Sequence, residues 1–170
     1  MVYVEHITTA ESRSDINRLI DHLCSRFKVT VKGSLKYILR IEINHTTDGM
    51  ELSQLPYINN ILSRFGMDNC RPVPTPIDLT AYLNETTDCN PVFEQNLYQR
   101  ISGSLMYLVT CTRPDLAFPV SYLARFSSDP LECHHTAVKM VFRHLAGTRS
   151  MSLKYKHSAT CRSSVNCSLL

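Results

Sequence analysis

The chain has 170 residues, 44% hydrophobic and 19% charged, with a formal net charge of +3. That length holds one ordinary domain or two small ones, and that composition excludes a disordered chain. Seven cysteines without a C-x-x-C spacing argue against a disulfide framework, and no apolar run approaches the ~20 residues of a membrane helix, so a soluble intracellular chain of cytoplasm or nucleus, with no membrane partner, is expected.

Residues 1–8 open Met-Val-Tyr-Val-Glu-His-Ile, a β-favouring run in which Glu5 and His6 fall where a tight hairpin turns. Ser12 or Ser14 is a suitable N-cap for a helix in which Ile16, Leu19, Ile20, Leu23 and Phe27 recur at helical spacing. Short strands are predicted over 28–32 and 35–44, the second with Leu35, Tyr37, Leu39, Ile41 and Ile43 alternating against the rest. Asn44 to Gly49 supplies turn chemistry and Met50–Gln54 returns, so 35–54 reads as a β-hairpin. Pro56, followed by Ile58, Ile61, Leu62 and Phe65, predicts a short helix closed by Gly66.

Residues 67–93 carry Pro72, Pro74, Pro76 and Pro91 and read as an irregular connector. Three helices are predicted beyond it: about 94–110, from near Pro114 through Phe126, and about 131–146, the last with Val138, Val141, Phe142 and Leu145 as its stripe. Gly147 stops that helix, Ser150–Lys156 suits one more strand, and the tail from His157 is patternless and expected to fray.

The string Leu35-Lys-Tyr-Ile-Leu-Arg-Ile-Glu-Ile43, then Leu52-Ser-Gln54, Tyr57-Ile58, Arg64-Phe-Gly-Met67 and Pro74-Thr-Pro76, resembles the segment after the active hairpin of copia-type reverse transcriptases. The blocks from Tyr98 to Leu108, Thr112-Arg-Pro-Asp115, Tyr122-Leu-Ala-Arg-Phe126 and His144-Leu-Ala-Gly-Thr148 are similar to that family's downstream part. These enzymes are encoded in the Pol polyproteins of LTR retrotransposons, and the chain most resembles those of budding-yeast copia-type elements. The resemblance implies an α+β fold: an incomplete palm with a thumb-like region over 1–66, a Pro-rich connector over 67–93, a helical connection region over 94–156, and a disordered tail over 157–170. It also implies a parent activity, RNA-directed DNA synthesis with two Mg²⁺ ions held between carboxylates.

Tyr3 and Val4 match the family's hairpin motif, but Glu5 stands at its first Asp and His6 at its second. Glu keeps the charge with an extra methylene; imidazole is a poor Mg²⁺ ligand. The third carboxylate and the fingers would precede Met1. The expectation is therefore a truncated, transposon-derived fragment, catalytically inactive by itself, with no intact catalytic residue, no metal site and no cofactor. From Cys133 onward there is no Asp or Glu, so the acidic cluster of a ribonuclease H domain is excluded from that stretch. Arg40 stands where the family favours Gly, marking a place where a side chain is disfavoured.

Two alternatives stay open: a weak polymerase subunit completed by a partner chain, and a module that binds nucleic acid or an intact Pol chain. For the second, Lys139, Arg143, Arg149, Lys154 and Lys156 are candidates to track the backbone of an RNA–DNA hybrid or DNA duplex. Cys133-His134-His135 with His144 is the nearest approach to a metal cluster, but adjacent positions splay around a helix and read as helix-surface residues. Tyr98, Tyr107 and Tyr122 lie in apolar stripes and read as core, and Thr112–Asp115 as a helix stop and restart. Strands 1–8 and 35–43 are expected to lack neighbours, which predicts marginal stability or insolubility.

Overall fold

The computed structural model describes residues 13–28, 30, 35–78, 94–156 and 166–169, in two compact units, Met1–Lys36 and Tyr37–Leu170. In the first unit α1, Arg13–Cys24, carries Ile16, Ile20 and Leu23 half-buried at helical spacing. Its end is closed by the Ser25 hydroxyl, which donates to the His22 carbonyl at 2.7 Å. The predicted strand over 1–8 lies outside the described residues; of that over 28–32, only Lys28 and Thr30 are described, and neither is in a strand.

In the second unit, β1 (Tyr37–Ile38), β2 (Ile41–Thr46) and β3 (Gly49–Ser53) lead into α2 (Leu55–Arg64). There follow α3 (Gln95–Cys111), a 3-10 turn (Pro114–Leu116), α4 (Ala117–Ala124), α5 (Glu132–Gly147), β4 (Leu153–Lys156) and β5 (Asn166–Leu169). The architecture is α+β, and the strands form one antiparallel sheet in the order β1-β2-β3-β4-β5.

The predicted continuous strand over 35–44 is broken. Ile38 pairs with Ile41, and between them Leu39 and Arg40 adopt φ +48° and +62°, the signature of a two-residue type I′ turn. The alternation of apolar residues across this stretch hides the turn, because neither residue is a turn former. The turn places Arg40 where the backbone is left-handed, a conformation that favours glycine. The Tyr107 hydroxyl donates to the Leu39 carbonyl, and the Arg40 guanidinium lies 5.8 Å from the Tyr57 ring centroid. β2 is flanked by β1 and β3, so this strand does not lack neighbours.

The β2–β3 hairpin turns at Thr47-Asp48, with Thr46 opposite Gly49. A Cβ on Gly49 would collide with the Tyr155 carbonyl, so glycine is what lets β4 pair here. Helix α2 starts with Pro56 in its first turn and ends in a Schellman motif: Gly66 at φ +67°, its N–H donating to Ser63 at 3.1 Å, and the Met67 N–H to Leu62 at 2.8 Å.

One core spans the expected connector. Ile58, Ile61 and Leu62 of α2 pack with Tyr98, Ile101, Leu105 and Leu108 of α3, Val120 and Leu123 of α4, and Ala137, Val138, Val141, Phe142 and Leu145 of α5. Each such leucine or isoleucine contributes about 1.5–3 kcal/mol by leaving water. Within the tail expected to fray, Asn166–Leu169 instead pair with β4 as β5, a main-chain contact that a patternless sequence does not announce.

Candidate nucleic-acid interface

The motif Tyr3-Val4-Glu5-His6 lies outside the described residues. The five basic candidates are described, and they divide. Lys139 on α5 and Lys156 at the end of β4 are exposed. Lys154 Nζ stands 3.7 Å from Glu51 Oε1, which also accepts from the Ser152 hydroxyl. Arg143 Nε donates to the Arg71 carbonyl at 2.7 Å, and Arg149 Nη2 to the Asp68 carbonyl at 2.8 Å. The two arginines thus hold the start of the connector, and His144 Nδ1 joins them 3.2 Å from the Val73 carbonyl.

Among the described residues, the most deeply placed cation is one outside the candidate set. Arg113, fully buried, grips Asp115 with two bonds, Nε to Oδ1 at 2.9 Å and Nη2 to Oδ2 at 2.7 Å. Its Nη1 donates to the Thr148 carbonyl at 3.1 Å and its Nη2 to the Thr148 hydroxyl at 2.8 Å. Thr148 caps the C-terminus of α5, where a cation also meets the negative end of the helix dipole. Beside it the Thr112 hydroxyl donates to Gln54 Oε1 at 2.7 Å, both residues being buried. Thr112–Asp115 is the expected helix stop and restart, but the buried lock within it is not predicted. Its only sequence trace is an arginine between a helix end and a proline, followed two residues later by an acid.

Cys133 and His134 are buried, not on the helix surface as expected, and His135 is half-buried. His134 Nδ1 accepts from the Leu131 N–H at 3.0 Å, capping α5, and its ring stacks on Phe126 with centroids 3.8 Å apart. Burial holds the His134 imidazole below its ordinary pKa, with Asp129 opposing; burial and then Lys139 lower His135, against Glu132. Among the described residues, no group of three or more His, Cys, Asp or Glu converges as a metal-ion site, and no helix is long and apolar enough to cross a membrane. Tyr98 is buried with its hydroxyl on the Leu123 carbonyl at 2.8 Å, and burial raises its pKa; Tyr107 and Tyr122 pack half-buried against the core.

Residues 1–79 match the family described as "Reverse transcriptase (RNA-dependent DNA polymerase)". Over 161 residues the chain is 34% identical to the retrovirus-related Pol polyprotein from transposon RE1 of Arabidopsis thaliana, covering 94% of the chain and 11% of that relative. Over most of its length the chain is similar to Pol polyproteins of copia-type transposons. It is also 33% identical to an uncharacterized mitochondrial protein of Arabidopsis thaliana, covering 87% of the chain and 61% of that protein. A transposon Ty5-1 protein of Saccharomyces cerevisiae is 30% identical, over 98% of the chain and 54% of its own length. The chain therefore spans between a tenth and two thirds of these relatives. No solved structure matches.

Three short stretches far apart in sequence come together in the second unit. Gln54, Thr112–Asp115 and His144–Thr148 meet in one hydrogen-bonded cluster. These residues tie the end of α3 to the start of α2 and to the end of α5.

Proposed function

We propose that the chain is a non-polymerising member of the copia-type reverse-transcriptase family, keeping the scaffold of that family but not its metal chemistry. The observation that carries this reading is Glu5-His6, in the place of two aspartates. A pair of Mg²⁺ ions needs hard oxygen donors in tight octahedral geometry. One carboxylate, reaching a methylene further, beside an imidazole does not fit that requirement. The buried Arg113–Asp115–Thr148 cluster supports retention of the scaffold.

Primer extension on an RNA template with Mg²⁺ or Mn²⁺ tests this. No extension is expected; template-dependent extension that disappears in Glu5→Ala would overturn it.

A second reading, binding of an RNA–DNA hybrid backbone, is favoured by one specific observation. Residues 133–170 hold six Lys or Arg and no acid, and Lys139 and Lys156 are exposed within that stretch. Binding of this kind weakens steeply with salt, each phosphate contact adding ~0.9 to the log–log slope for B-DNA. Removing both lysines should lower the slope by roughly 1.8. An unchanged slope in the double variant, or no binding at low salt, removes the reading.

A further inference from the structure

Residues 68–73 run as an irregular strap over the C-terminal half of α5. The strap is held by its main-chain carbonyls: Asp68 to Arg149, Arg71 to Arg143, and Val73 to His144, at 2.8, 2.7 and 3.2 Å. Pro72 lies over Gly147, so closely that a Cβ at Gly147 would stand 3.0 Å from the Pro72 Cβ. Apart from Cys70 and Val73, which are half-buried, the strap is exposed.

We infer that this strap is an intramolecular cover over a phosphate-binding pair, Arg143 and Arg149, and that a nucleic-acid backbone displaces it. The inference rests on the hybrid-binding reading above and adds which cations are held back and by what. Neutral carbonyl oxygens stand where anionic oxygens would make stronger bonds to the same guanidinium groups. Lys139, exposed and one turn before Arg143, extends the pair along α5. A segment with few buried contacts and no regular hydrogen-bond ladder belongs to the low-stability end of a fold, where displacement is cheapest.

The test is a double variant, Pro72→Cys with Gly147→Cys. The 3.0 Å separation of the two Cβ positions lies about 0.5 Å below the usual disulfide range, a shift the strap can absorb. Binding of a short RNA–DNA hybrid is measured across a salt series in the oxidised and reduced forms, with the bridge verified by peptide mapping. The reduced form should bind with a slope steeper by roughly 1.8, two phosphate contacts, and Arg143→Gln with Arg149→Gln should reproduce the oxidised slope. Equal affinity and slope in both redox forms overturn the cover while leaving hybrid binding intact; no binding in either form overturns both. In the unmodified chain, Cys70 alkylation should accelerate on adding hybrid. An unchanged rate at saturation overturns the cover even if the double variant fails to fold.

Discussion

At the scale of single residues, Arg113 shows how a charge is kept inside a protein. Its guanidinium is fully buried, and it donates to both oxygens of Asp115 and to the carbonyl and hydroxyl of Thr148. Replacing a buried pair with well-packed apolar residues is often harmless, but removing one partner strands the other. Arg113→Ala should therefore cost about 3–5 kcal/mol, seen as a lower urea midpoint at an unchanged m-value. Arg113→Lys should recover only part of this, since an ammonium cannot reproduce the planar fork. His134 makes a second residue-scale prediction. Its folded pKa lies below the unfolded value because burial disfavours the imidazolium, so the unfolded chain binds the proton more readily. Stability from this group is complete above about pH 6.5 and is lost as pH falls through the folded pKa. His135 shifts in the same direction and adds to the loss. His134→Asn keeps an acceptor for the Leu131 N–H but does not titrate. Its stability should fall less between neutral and mildly acid pH than the parent's, measured by denaturant midpoints at each pH.

At the scale of elements, the β1–β2 turn is the weakest piece of local sequence–structure agreement. Two L-residues in left-handed conformation cost roughly 1–2 kcal/mol each. The contacts of Tyr57 and Tyr107 with the turn offset part of this. Arg40→Gly relieves one residue and forfeits a cation–π contact of about 0.5–1 kcal/mol at an exposed site. A net gain of up to about 1 kcal/mol is expected, read as a higher thermal midpoint; a loss would mean that the Tyr57 contact outweighs the strain. The helices are legible because their signals are local: Pro56 and Gly66 bracket α2, and Val138, Val141, Phe142 and Leu145 mark the buried face of α5. The I′ turn is not, because Leu39-Arg40 lacks every turn-forming residue type. Nor is the strap on α5, because its anchors are main-chain carbonyls, which carry no sequence signature. Arg143 and Arg149 stand out in the sequence as basic residues, but most of what occupies their donors lies 72, 81 and 90 residues away, at Arg71, Asp68 and Asn59, beside a local bond from Arg149 to the Ala146 carbonyl.

At the scale of the whole second unit, the sheet and the helices are tied together by residues from its far end. β4 follows α5 yet pairs with β3, and Leu52 stands opposite Leu153. The core likewise joins α2 to α3, α4 and α5 across the Pro-rich segment. The expectation of marginal stability rests on strands over 1–8, which lie outside the described residues, and over 35–43; for the second, β2 has partners on both sides, and β1 is an edge of only two residues. Short edges resist intermolecular pairing. The hairpin and the helical region should therefore unfold as one cooperative unit, despite being widely separated in sequence. Lys154→Pro tests this, since β4 lies between β3 and β5 and proline removes a ladder donor from a central strand. The helical signal at 222 nm and a spectroscopic probe placed on the β2–β3 turn should shift to the same lower midpoint in urea. If instead the hairpin melts early while the helical midpoint stays put, the two regions are energetically separate, and the β3–β4 pairing does not couple them.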